Sequence, residues 1–173
     1  QIFLERTTQL NEITSQVRAN MEHAFSSCWN RLSTAVRLLH TQEIGAEDGL
    51  IKCIGITEGL LGTDNGSSML MLLDSRGNCY DSEGKHGIWQ DVGQLSNGED
   101  RPILITDSYV YQVSYWAFIQ KLEEPLTVSG NRFTHIILLE DVNTLSQYYN
   151  SDAYGSHNET YILKSDGTRM HDE

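Results

Sequence analysis

No stretch of this sequence holds about 18 consecutive apolar residues, so no helix in it is expected to cross a bilayer. Basic residues are scarce as well: 12 Lys and Arg stand against 24 Asp and Glu, a formal charge of −12. Phosphate backbones are bound by basic faces, which excludes nucleic acid as a partner class. Proline occurs twice in 173 residues, too seldom for a long spacer. The three cysteines, Cys28, Cys53 and Cys79, lack the paired spacing of a zinc site. A Cys53–Cys79 disulfide is open to the chain in an oxidising compartment; the other reading is small buried side chains. The odd count leaves at least one thiol unpaired within the chain. None of the six histidines pairs with another at i, i+4, so no metal is expected. The G-x-S-x-G elbow, the P-loop and the dinucleotide fingerprint are all absent, so the chain is read as non-enzymatic and without a cofactor. No signal-peptide pattern is read in these residues. The first residue is Gln, and the chain reads as a piece of something longer.

What is present begins with a long helical pattern. Leu10, Ile13, Val17, Met21, Ala24, Cys28, Leu32, Ala35 and Leu39 follow one another in steps of three and four. That places them on one stripe of an α-helix with a near-heptad period. Neither Pro nor Gly interrupts residues 1–44, and Gly45 is the first stop signal. Some forty helical residues would reach roughly 60 Å, more than the core of a chain this size requires. The pattern predicts a stiff rod that packs on its domain at one end and could pair with a second copy at the other.

Residues 46–62 carry a second, weaker helical pattern, diluted by Gly49, Gly55 and Gly59. Met69–Leu73 is a continuous apolar run, as in a central strand covered on both faces. "DSRGN" turns the chain and "CYD" returns it. A short strand follows around Ile88 and Trp89. Ile103–Thr106 and Tyr109–Leu122 read as strands separated by Asp107-Ser108. "EEPLTVSGNR" reads as a connection, extended at Leu126–Val128, and 133–142 as a further strand. Residues 143–156 begin helical and end as a loop. About five strands joined by short turns imply antiparallel pairing and an α+β class. The lack of strand–helix alternation disfavours a nucleotide-binding βαβ fold.

"TYILKSDGTRMHDE" (160–173) repeats the pattern of "MLMLLDSRGNCYDS" (69–82), with Gly167 aligned on Gly77. With "THIILLEDVNTL" (134–145), these phrases resemble the extracytoplasmic Cache, or PAS-like, sensor domains of bacterial histidine kinases, diguanylate cyclases and chemoreceptors. The resemblance is to the double form, in which a long helix leads into a membrane-distal unit and a short linker helix opens a second. It implies a signalling helix at 1–45, a sensor unit at 46–142, and at 143–173 the linker and first hairpin of a second unit cut short. It further implies a small-molecule receptor outside the cytoplasm, anchored through segments beyond this chain. A sensor histidine kinase is the first reading of the output. A diguanylate cyclase or chemoreceptor is the alternative, and a non-sensing coiled-coil or assembly module the competing class. Amino-acid-binding members carry an Arg shortly before Trp and Tyr, and later Tyr-x-Asp. Here Tyr115-Trp116 has no Arg before it and Asp141 no Tyr two residues earlier, so that set is not carried over.

Any ligand would lie on the aromatic-rich face of the sheet. Alternation puts Tyr109, Tyr111 and Tyr115 on one face, and Trp89, Asp107, His135 and Asp141 are candidates to line its edges. The competing reading makes these tyrosines ordinary core and surface of a half-buried strand.

Overall fold

The computed structural model describes residues 2–42, 44–62, 67–89, 103–105, 114–146 and 148. Its elements are α1 (Ile2–His40), α2 (Glu47–Leu61), β1 (Ser68–Asp74), β2 (Asn78–Asp81), β3 (Gly84–Ile88), β4 (Ile103–Ile105), β5 (Tyr115–Val128), β6 (Asn131–Asp141) and α3 (Val142–Ser146). The class is α+β with a long N-terminal helix, as the sequence predicts. Contacts gather the chain into two compact units, Cys28–Val142 and Gln1–Ser27 with Asn143–Glu173.

The expected stripe forms. Met21, Ala24, Cys28, Leu32, Ala35 and Leu39 are all buried, whereas Leu10 remains 63% exposed. The helix ends at His40, five residues before Gly45. Thr41 Oγ1 donates to Leu38 O at 2.8 Å, an alternative to helical bonding that Thr offers readily. Arg37 and His40 in the last turn suit the negative end of the helix dipole.

In the larger unit the strands form one antiparallel sheet of six, in the order β3-β2-β1-β6-β5-β4. β1 lies at the centre, and its apolar run Leu70–Leu73 is no more than 1% exposed, which suits a strand covered on both faces. Two Asp-x-x-Gly turns fold β1, β2 and β3 into a meander. Asp74 Oδ1 accepts from the N–H groups of Arg76 and Asn78 at 2.8 and 2.9 Å. Asp81 Oδ1 accepts from Glu83 and Gly84 at 2.7 and 3.1 Å. These short carboxylates stand in for backbone partners, so both can be buried.

The connection expected at 123–132 is instead sheet. β5 runs unbroken through Glu123, Glu124 and Pro125. Between Lys121, opposite His135, and Leu126, opposite Phe133, the register shifts. Pro125 sits within this bulge, where no ladder N–H is demanded of it. The β5–β6 turn then needs only Ser129 and Gly130, both at positive φ (50° and 81°), as a two-residue hairpin with the strand twist requires.

α2 stays whole despite its glycines because Leu50, Ile54, Thr57 and Glu58 are buried. Glu58 Oε1 accepts from the N–H of Leu70 at 2.8 Å. β2 pairs with β1 only at Leu72 and Leu73, so this carboxylate supplies an acceptor where no strand does.

Candidate ligand-binding site

Residues directly opposite one another in a sheet share a face, so the register assigns every strand residue to one side. Leu70, Leu138 and Phe118 form one row, and Ser68, Glu140 and Trp116 another. This is the helix face. Trp29 of α1 meets the Phe118 ring edge-on, with centroids 5.3 Å apart, and Arg31 reaches Glu140.

The opposite face carries a separate apolar cluster that includes Met71, Leu73, Cys79, Ala117, Ile137 and Leu139. None of its described members comes from a helix. Its rows run Tyr115–Asp141, then Ala117–Leu139–Met69, then Ile119–Ile137–Met71, then Lys121–His135–Leu73. This buried apolar strip is thus bounded by an acid–phenol pair at one end and a basic pair at the other. Six strand residues separate the ends, or about 20 Å at 3.3–3.4 Å per residue.

All four of the described candidates belong to this face, but they divide between its ends. Tyr115 and Asp141 stand opposite each other at the first end. His135 is at the second. Trp89 packs against the cluster and donates its backbone N–H to Gly77 O at 2.9 Å, which places its backbone beside Cys79 and Leu73. One small ligand cannot span both groups. Asp107, Tyr109 and Tyr111 lie outside the described residues, as does the hairpin expected at 160–173.

The two ends differ in chemistry. Burial, and then the charge of Asp141, raises the Tyr115 pKa. The phenol is therefore neutral, a hydrogen-bond donor beside a half-buried carboxylate. At the other end burial, and then Lys121, lowers the His135 pKa, and Thr134 Oγ1 lies 2.9 Å from His135 Nδ1. This imidazole is neutral at pH 7. The three thiols are free. Cys79 is pushed up to about 12 by burial, although the Trp89 N–H pulls the other way. It is thus a protonated thiol at neutral pH rather than a nucleophile.

A pH effect follows from His135. Its folded-state pKa lies below the ordinary value of about 6.5, so the unfolded chain binds the proton more readily. The contribution is complete above about pH 6.5 and is lost as pH falls through the lower folded value. His135→Gln should therefore lose less stability than the parent between pH 7 and pH 5, measured by urea unfolding at each pH. Equal losses would remove this role.

On the helix face lies a polar cluster that the sequence reading missed. Arg31 Nη1 donates to Glu140 Oε1 at 2.5 Å, Arg31 Nη2 to Ser68 Oγ at 3.2 Å, and Ser68 Oγ to Glu140 Oε2 at 2.7 Å. The Glu140 side chain is 3% exposed. Burial raises its pKa against the pull of Ser68 and Arg31. One signal was available: Ile136, Leu138 and Glu140 share a face by alternation, so the acid had to point into the core and needed a partner. Nothing local identified that partner as Arg31, 109 residues away.

No protein-family model matches the chain, nor does any curated protein. Solved structures do match. The sensory domain of the Campylobacter jejuni chemoreceptor Tlp3 with isoleucine bound aligns over 98% of this chain and 74% of its own, at TM-score 0.54 and 7% identity. The ligand-binding domain of the same receptor in complex with L-valine aligns over the same shares at 0.54 and 8%. A further structure of that sensory domain gives 0.50 at 7%. At such identities the likeness is one of fold. This chain folds as those sensory domains do, with a long N-terminal helix and an antiparallel sheet.

Proposed function

We propose that this chain is the ligand-sensing ectodomain of a bacterial membrane receptor, held outside the cytoplasm by segments beyond it. The likeness of fold to solved sensory domains over 98% of the chain carries this reading. The site is the Tyr115–Asp141 end of the cluster face. Its apolar strip suits a compact aliphatic body, and its phenol and carboxylate suit a hydrogen-bonding or cationic group on that body. Residues 1–45 act as the signalling helix, 46–142 as the sensor, and 143–173 as linker and start of a second, double-Cache unit. The chain receives a signal and performs no catalysis itself. The output is implied by the resemblance alone, with a histidine kinase as its first reading and a diguanylate cyclase as an alternative. The chemoreceptor reading stands beside it because the matching structures come from a chemoreceptor.

The test is a thermal-shift screen of small amines and amino acids, with isoleucine and valine as first probes. A ligand at 100 times its dissociation constant adds about 2.7 kcal/mol, or a rise of about 5–10 °C at this chain length. Asp141→Asn removes a charged acceptor worth about 1.5–3 kcal/mol, so the stabilising ligand should bind it about 10- to 100-fold more weakly. A screen with no stabiliser, or a ligand indifferent to Asp141→Asn, would overturn the proposal. Pairing of two copies through α1 belongs to the same reading, since Leu10 continues the stripe while 63% exposed. Sedimentation equilibrium should show a dimer that Leu10→Asp weakens; a monomer at every concentration would remove this part.

A further inference from the structure

Glu140 and Asp141 are consecutive residues at the end of β6, and strand alternation sends them to opposite faces. Asp141 stands opposite Tyr115 on the cluster face, and Glu140 is opposite Trp116 and Ser68 on the helix face. The backbone here is tied to the residue before β1, because Asp141 N–H donates to Ser67 O at 2.8 Å. A displacement that draws Asp141 toward a ligand therefore moves Glu140 with it, through a single peptide unit. On its side Glu140 holds Arg31 of α1 directly, and again through Ser68.

We propose that the Arg31–Ser68–Glu140 cluster is the latch that couples the Asp141 end of the cluster face to the position of α1. The inference rests on the reading of that face as a ligand site. An almost fully buried carboxylate cannot drift gradually from its cation, since leaving either charge buried and unpaired is costly. The latch is therefore either made or broken, and such two-state contacts turn small shifts into discrete movements. An apolar pair in the same place would pack without tying α1 to the end of β6 through a charge.

The test needs no ligand. Asp141→Asn perturbs the cluster face, and hydrogen exchange of the α1 amides at 28–36 reads the helix. The same perturbation is repeated on Arg31→Met/Glu140→Leu, a background in which an apolar pair replaces the buried ions, an exchange proteins often tolerate. All samples are kept in 1 M salt, where a Debye length of about 3 Å screens the direct field of the lost charge. Couplings between sites commonly amount to about 5- to 150-fold. Asp141→Asn should change the exchange rates at least about fivefold in the parent and less than about twofold in the apolar background. No change in the parent, or equal changes in both, would overturn the latch. Should the apolar pair fail to fold, Glu140→Gln keeps the shape and removes the charge. It should at least halve the response, and an undiminished response would count against the proposal. A blank ligand screen with the coupling intact would defeat the sensor reading alone. A ligand found without the coupling would defeat only the latch.

Discussion

Arg31→Met is expected to lower the stability of the folded chain by about 3–5 kcal/mol in urea unfolding, because it strands a buried carboxylate. Arg31 meets Glu140 at 2.5 Å with side-chain exposures of 26% and 3%. Water therefore screens this pair far less than it screens Arg18–Glu22, an i, i+4 pair on α1 exposed by 78% and 63%. Breaking that surface pair by Arg18→Met should leave the urea midpoint nearly unchanged, because water screens both charges. The contrast separates burial from charge. Equal small effects at the two sites would mean that Glu140 finds water or another donor once Arg31 is gone. Adding Glu140→Leu to Arg31→Met should recover most of the loss, since an apolar pair no longer carries an unmatched charge.

Phe118→Ala should cost a similar amount, about 3–5 kcal/mol, for a different reason. Phe118 is fully buried and faces the edge of Trp29, the rings standing at 83°. Truncation removes the transfer free energy of the ring, leaves a cavity, and takes away the aromatic contact that joins α1 to β5. Trp29 gives the readout, since its fluorescence should report a changed environment before unfolding begins. A loss below about 1 kcal/mol would mean that the helix collapses onto the sheet to fill the space, and α1 would then be a looser partner than the geometry indicates.

The sequence made α1 legible because one property, spacing by three and four, ran from Leu10 to Leu39. Burial follows that spacing from Met21 onward. β1 was legible for the converse reason: an unbroken apolar run has no exposed side to alternate with. Local reading failed at Pro125. Proline normally argues against a strand, and only the register shift between Lys121 and Leu126 shows how β5 accommodates it. The candidate site was legible as a face and not as a place. Alternation assigns Tyr115, His135 and Asp141 to sides, but the distance between Trp89 and Tyr115 depends on strand order and register, which are properties of the whole sheet. The latch was the least legible feature, because a charge such as Arg31 beside an apolar stripe reads as solvated until the partner strand is in position.

On the proposed reading, a small molecule binds on the sheet face opposite the helices, at the Tyr115–Asp141 end. Backbone chemical-shift mapping during titration of a stabilising ligand tests it most directly. The largest shifts are expected at 115–119 and 137–141 on β5 and β6, with residues 84–88 of β3 nearly still. Shifts confined to α2 or to β3, with 137–141 unmoved at saturation, would contradict it.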